Sequence, residues 1–234
     1  MGGQIDMKHL LGYPAAVCIL LIIVAQSIFI PTFHVMPYFS WHYEQRQIPE
    51  SIGVEENELM RVTQELLDYM RGRRDDIYTI YAYVSGQYRQ FFSDIEIRHM
   101  VDVRELYDIG FLIRNISFWL LLFLIFAMAF FKVPILATLA RCSREVIVTF
   151  LILLILLIAA IAIDFNRAFV IFHLIFFNND YWILDPRVDL LINMVPQAFF
   201  VEISMMIGAL LLLFSAVAIG LSTWYLKATA HMRR

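Results

Sequence analysis

Residues 146–163 read VIVTFLILLILLIAAIAI, eighteen positions without a single charge, bounded by Arg144 and Glu145 before and Asp164 after. An α-helix rises about 1.5 Å per residue, so about 20 apolar residues cross the roughly 30 Å hydrocarbon core of a bilayer. Three more stretches are similarly apolar, at residues 13–33, 113–131, where Arg114 stands at the start, and 203–225. The whole composition agrees: 61% of the chain is hydrophobic, only 17% is charged, and the mean hydropathy is +0.70. Soluble globular domains carry about a quarter charged residues, so this chain needs lipid as part of its solvent.

The first stretch is longer than a cleavable signal and runs into Ile30-Pro31-Thr32 without a small-x-small cleavage pattern, so it is expected to be retained. Cys18 lies inside that apolar run rather than closing it, unlike a lipidation cysteine, and the other cysteine, Cys142, falls on a different side; no disulfide is expected. Basic residues mark the cytoplasmic side of a span. Lys8, Lys132, Arg141, Arg144, Lys227, Arg233 and Arg234 fall together on one side, against only Asp6 and Glu145. Seven of the 18 basic and two of the 21 acidic residues lie there, which leaves 11 basic against 19 acidic on the other side.

The predicted fold is therefore an all-α polytopic plasma-membrane protein with four transmembrane helices. A small α/β extracytoplasmic domain is expected between helices 1 and 2, and a short interfacial or re-entrant segment between helices 3 and 4. In order, the layout is a cytoplasmic N-terminus (1–12), span 1 (13–33), an extracytoplasmic domain (34–112), span 2 (113–131), a cytoplasmic loop (132–145) and span 3 (146–163). An extracytoplasmic interfacial segment (164–202), span 4 (203–225) and a cytoplasmic C-terminus (226–234) complete it.

Within residues 34–112, Leu59, Val62, Leu66 and Met70 repeat at helical spacing and Gly72 follows as a C-cap, which predicts a surface helix. The β-branched and aromatic run from Ile77 to Phe92, broken by Ser85-Gly86, predicts a hairpin whose tyrosines suit a membrane interface. Ser93-Asp94-Ile95-Glu96 fits a capping box, so a helix should start there and run on toward span 2. In residues 164–202, Asn178-Asn179-Asp180 should break a short apolar run, and Asp185-Pro186 should start a second short helix that Pro196 stops. No internal repeat, phosphate-binding glycine loop or zinc-spaced Cys/His pattern is present.

Topology sorts the six histidines. His9 and His231 flank basic ends, and His34 and His42 sit among aromatic residues just outside span 1, where an amphipathic ring is commonplace. His99 has Asp102 one helical turn on, a carboxylate spaced to orient the imidazole, though an exposed pair of this spacing is equally a helix-stabilising contact. His173 stands alone in an apolar run, and a titratable group at membrane depth is costly enough to point to function. Asp180 follows it at a turn as a partner carboxylate; Trp182 reads as an interface anchor, Asp185 as a helix N-cap.

Two motifs carry a resemblance. The first runs Ile97-Arg98-His99-Met100-Val101-Asp102-Val103-Arg104-Glu105-Leu106-Tyr107 and the second from Phe172-His173 through Asn178-Asn179-Asp180-Tyr181-Trp182 to Asp185-Pro186. With Asp189-Leu190-Leu191-Ile192 and Pro196-Gln197-Ala198-Phe199-Phe200, they are similar to the bacterial lipoprotein intramolecular transacylases, known as Lit. The resemblance implies an acyltransferase of lipoprotein maturation that takes a diacylated lipoprotein in the membrane lipid as substrate. It would move the sn-2 acyl chain of the diacylglyceryl group to the α-amino group of the N-terminal cysteine, giving the lyso form. It also implies His99 and His173 as catalytic residues, with Asp102, Arg104, Asn178, Asp180, Trp182 and Asp185 in support. No metal, cofactor or nucleic acid is expected. Two other readings remain at this level: a non-enzymatic membrane module binding a lipid or protein partner, and a zinc-dependent membrane hydrolase using His99, His173 and a carboxylate such as Asp180.

Overall fold

The structure, a computed structural model, describes residues 7–231; Asp6, Arg233 and Arg234, which entered the charge reckoning above, lie outside the described residues. In chain order the elements are α1 (Met7–Phe33), α2 (Met36–Gln45), α3 (Ile48–Ile52), α4 (Glu56–Met70), β1 (Tyr81–Val84), β2 (Gln87–Gln90), α5 (Asp94–Phe130), α6 (Ile135–Ile163), α7 (Phe165–Phe176), α8 (Leu190–Met194) and α9 (Gln197–His231). Four of these helices, α1, α5, α6 and α9, are long and apolar enough to cross a membrane. The chain divides into two compact units. One holds Met1–Ile28, Phe111–Asp164 and Ile207–Arg234, the other Phe29–Gly110 and Phe165–Met206.

The first unit is made of apolar helix. Its core gathers Ala15 and Cys18 of α1, Leu124 and Met128 of α5 and Val133 of the following turn. Gly12 lets α1 approach α6 closely: a Cβ there would stand 2.7 Å from both Cys142 Sγ and Thr138 Cγ2, a clash that a larger residue cannot avoid. Tyr13 donates to Glu145 Oε2 across the same contact at 2.7 Å. Elsewhere large apolar side chains such as Trp119, Phe123 and Phe126 stand exposed along α5, which only a lipid environment tolerates. At 37 residues α5 is about 55 Å long, well beyond a bilayer core. Its charged residues all lie between Asp94 and Arg114, and the rest of the helix is largely apolar.

The second unit has a polar surface and its own core. The stripe expected on α4 is buried, with Leu59, Val62, Leu66 and Met70 all nearly inaccessible, and each such side chain contributes about 1.5–3 kcal/mol when removed from water. The Tyr43 hydroxyl of α2 donates to Thr63 Oγ1 at 2.8 Å, because that oxygen's own proton goes to the Leu59 carbonyl. The hairpin forms with Ser85-Gly86 as its turn, both residues at positive φ, as a two-residue turn matching right-handed strand twist requires. The expected second short helix starts later than Asp185-Pro186. Those residues form a turn in which the Asp185 carboxylate accepts the Arg187 amide, and α8 begins after Asp189. An aspartate whose side chain bonds the amide two residues on favours a turn over a helix cap.

Candidate active site

The site is built from the start of α5. Ser93 and Glu96 close the expected capping box: the Ser93 amide donates to Glu96 Oε2 at 2.6 Å, and the Glu96 amide approaches Ser93 Oγ at 3.5 Å. Glu96 is 1% exposed, and its other oxygen accepts the Leu191 amide at the start of α8, so one carboxylate serves two helix N-termini. Ser93 Oγ also donates to Asp189 Oδ1 at 2.9 Å, and Asp189 Oδ2 accepts the Asp185 amide at 2.7 Å. Burial raises the Glu96 carboxyl above its ordinary range, while the amides that it accepts work the other way.

Further along α5, Arg98 reaches the Tyr181 hydroxyl at 3.3 Å and Asn179 Nδ2 donates to Asp102 Oδ2 at 2.8 Å. These latches lay the turn after α7 along the face of α5 that carries His99. The two histidines consequently meet, with ring centroids 6.0 Å apart and planes 34° from parallel. Both are buried, His99 at 9% and His173 at 6% exposure.

Aromatic rings wall the pair. Around His173 stand Phe169 at 4.2 Å, Trp182 stacked at 4.8 Å, and Phe172 and Phe177 at 5.5 Å. His99 meets Phe177 edge-on at 5.3 Å. His173 Nδ1 lies 2.7 Å from the Phe169 carbonyl one turn back on α7. A carbonyl only accepts, so Nδ1 carries the proton and Nε2 keeps its lone pair. Burial pushes His99 down to about 4, with His173 adding to the effect and Asp102 opposing it. Burial also lowers His173, against the bond to Phe169. Both rings are neutral at pH 7, the form in which an imidazole can accept a proton.

The supporting residues divide. Trp182 stacks on His173 itself, and its Nε1 is buried without a hydrogen-bond partner. Asp102 is beside the pair but differs from expectation: its partner is Asn179, no hydrogen bond joins it to His99 among the described residues, and His99 Nδ1 has no partner. Residue spacing put the carboxylate on the right face; the Asn179 amide from a distant segment took it. Asp180 and Asn178 are exposed. Asp185 pairs with Arg187 at 2.6 Å, and Arg104 donates to the carbonyls of Arg74 and Asp75 while stacking on Tyr69 at 4.6 Å. Those contacts hold loops in place. Among the described residues, no group of three or more His, Cys, Asp or Glu side chains is arranged to hold a metal ion.

A second histidine cluster was undervalued from sequence. His42 is 0% exposed, with Nδ1 3.1 Å from Glu202 Oε2, and Arg46 and Tyr38 also bond that carboxylate. The available signal was Glu202 itself, a lone acid at the entrance to an apolar run, which demands a partner. Glu96, Asp189 and Asn179 were likewise legible only as a cap, a motif residue and a helix terminator.

Known proteins place this architecture. The sequence family described as lipoprotein intramolecular transacylase Lit matches residues 14–200. No curated protein matches the chain. Among solved structures, that of the membrane integral lipoprotein intramolecular transacylase Lit from Bacillus cereus, determined in meso, superposes with a TM-score of 0.75 at 20% identity, covering 96% of this chain and 98% of that one. Two variants of the same Bacillus cereus protein, with one histidine changed to alanine or to arginine, each give 0.71 at 21% identity; the coverage of this chain and of that one is 96% and 96% for the alanine variant and 97% and 95% for the arginine variant. At such identities the structural likeness speaks for the fold, and the sequence match supplies the family. With its four apolar helices and paired buried histidines, the chain is an integral membrane protein that belongs to the lipoprotein intramolecular transacylase family.

Proposed function

We propose that the chain transfers the sn-2 acyl chain of a lipoprotein's diacylglyceryl group to the α-amino group of the same N-terminal cysteine, on the extracytoplasmic face of a bacterial plasma membrane. The carrying observation is the meeting of His99 and His173, from distant stretches of sequence, as two neutral rings inside an aromatic wall. The balance of basic residues supports cytoplasmic termini and a site on the outer side.

Aminolysis needs the amine neutral and a base for the proton released as the bond forms; an α-amino group has a pKa near 8, so a useful fraction is neutral at pH 7. The amine nitrogen attacks the ester carbonyl, and His173 Nε2, the nitrogen with the free lone pair, takes its proton. Collapse of the tetrahedral centre breaks the carbon–glycerol oxygen bond, and that oxygen receives a proton, with His99 as the neighbouring carrier. Ester and amine become amide and alcohol, a downhill exchange that requires no cofactor and no nucleotide. Both reactants belong to one molecule, so alignment rather than capture is the task, and well-aligned groups react with effective molarities of up to about 10⁵–10⁸ M. The aromatic wall keeps water from taking the acyl chain instead.

The test is mass spectrometry of the N-terminal peptide of a purified diacylated lipoprotein after incubation with wild type, His99→Ala or His173→Ala. Lyso product only from wild type is expected; full conversion by both variants would remove the reading.

A further inference from the structure

Trp182 presents an unused donor at the reacting centre. An indole N–H can only donate, buried ones usually find an acceptor, and leaving one without a partner is costly. Trp182 Nε1 has no hydrogen-bond partner among the described residues, although the indole lies stacked on His173 with planes 30° apart and centroids at 4.8 Å. Around it the turn is already committed: the amides of Phe177, Tyr181, Ile183 and Leu184 donate to His173, Asn179, Asp180 and Trp182 oxygens. The indole as a whole is half-buried, while its N–H edge is dry.

Acyl transfer needs such a group. When a nucleophile adds to an ester, the carbonyl π pair moves onto oxygen, and a donor already pointing at that oxygen in a dry site stabilises the charge without reorganising. We infer that the Trp182 indole N–H is the oxyanion donor of this site, hydrogen-bonding the carbonyl oxygen of the migrating acyl group as the tetrahedral centre forms. This rests on the transacylation proposed above. The N–H keeps its proton throughout; the amine's proton goes to His173, and when the tetrahedral centre collapses the oxyanion pair returns to carbon as the glycerol oxygen leaves. Stacking against His173 places the indole beside the proposed base.

The decisive experiment removes that hydrogen alone. β-(3-benzothienyl)alanine, in which sulfur replaces the indole N–H, is introduced at position 182 of the full chain, with Trp182→Phe and His173→Ala made in parallel. Initial rates on a diacylated lipoprotein in mixed micelles and melting temperatures are measured for each. The expected result is a fall in kcat of about 10²–10³-fold for the isostere and for Trp182→Phe, with KM and the isostere's melting temperature unchanged, since a donor engaged only in the transition state acts on kcat. An isostere with wild-type kcat beside an inactive His173→Ala overturns the donor and leaves the transacylation reading standing. A loss confined to KM, or one matched by a lowered melting temperature, also overturns it. Wild-type rates for both the isostere and His173→Ala sink the transacylation reading itself.

Discussion

The second unit buries two histidine clusters, and they are built in opposite ways. His42 Nδ1 meets Glu202 and Arg46, and Arg46 and Tyr38 both donate to Glu202; His42 Nε2 is buried without a partner among the described residues. His99 and His173 have each other, a backbone carbonyl and aromatic faces, and no carboxylate bonds either ring among the described residues. In the first cluster Arg46 and Glu202 offset each other's charge, and burial lowers His42 against its bond to Glu202. In the second, desolvation outweighs the opposing Asp102 charge and Phe169 carbonyl and favours neutral rings, with lone pairs available to an incoming proton. A charged network suits holding α2 against the start of α9, and an uncharged, dry pair suits chemistry.

That contrast breaks most directly at His173. His173→Ala should lower the transacylation rate by about 10²–10⁴-fold, the usual contribution of a general base, with little change in melting temperature. The reverse pattern is expected in the other cluster. Glu202→Ala leaves Arg46, Tyr38 and His42 without their shared acceptor and should cost about 1–3 kcal/mol of stability, seen in denaturant or thermal melts, while the rate per folded molecule stays within about twofold. Were Glu202→Ala to abolish turnover in a well-folded protein, the division between holding and reacting clusters would fail.

A smaller effect sharpens the role of Asp102. Because it bonds Asn179 rather than His99, Asp102→Asn should lower kcat by less than about tenfold, against the 10²–10⁴-fold range for a histidine that moves the proton. A loss as large as that of His99→Ala would show that Asp102 turns to the ring during turnover. The smallest expected effect is with pH. His99, at about 4, and His173, also lowered, bind fewer protons folded than unfolded between about 4 and their ordinary value of about 6.5. Stability therefore rises with pH across that window and is lost as pH falls through it. Activity should change only about twofold between pH 8 and 9, following the substrate amine, with the histidine limb below about 6.5; a steep histidine limb above pH 7 would contradict neutral rings. Melts and initial rates against pH check both.

Much of this was legible in the chain. Apolar length alone marks four candidate spans, and the helical stripe on α4, the Ser85-Gly86 turn and the capping box at Ser93 and Glu96 are local patterns that local structure obeyed. His173 was visible because a lone imidazole in an apolar run is costly. Less legible were features that need two segments at once. Asn179 taking Asp102 and Glu96 reaching Leu191 depend on what a side chain meets 77 and 95 residues away.

The sequence by itself determined what periodicity and length can encode: which stretches are apolar enough for lipid, where helices begin, and which residue types are chemically out of place. Only the tertiary structure decided which of six histidines become partners, and that an indole N–H stacked on one of them has no partner among the described residues. Ring contacts, desolvation and hydrogen-bond competition are properties of neighbours in space, and a lost or gained partner changes an imidazole's protonation more than anything adjacent to it in the chain.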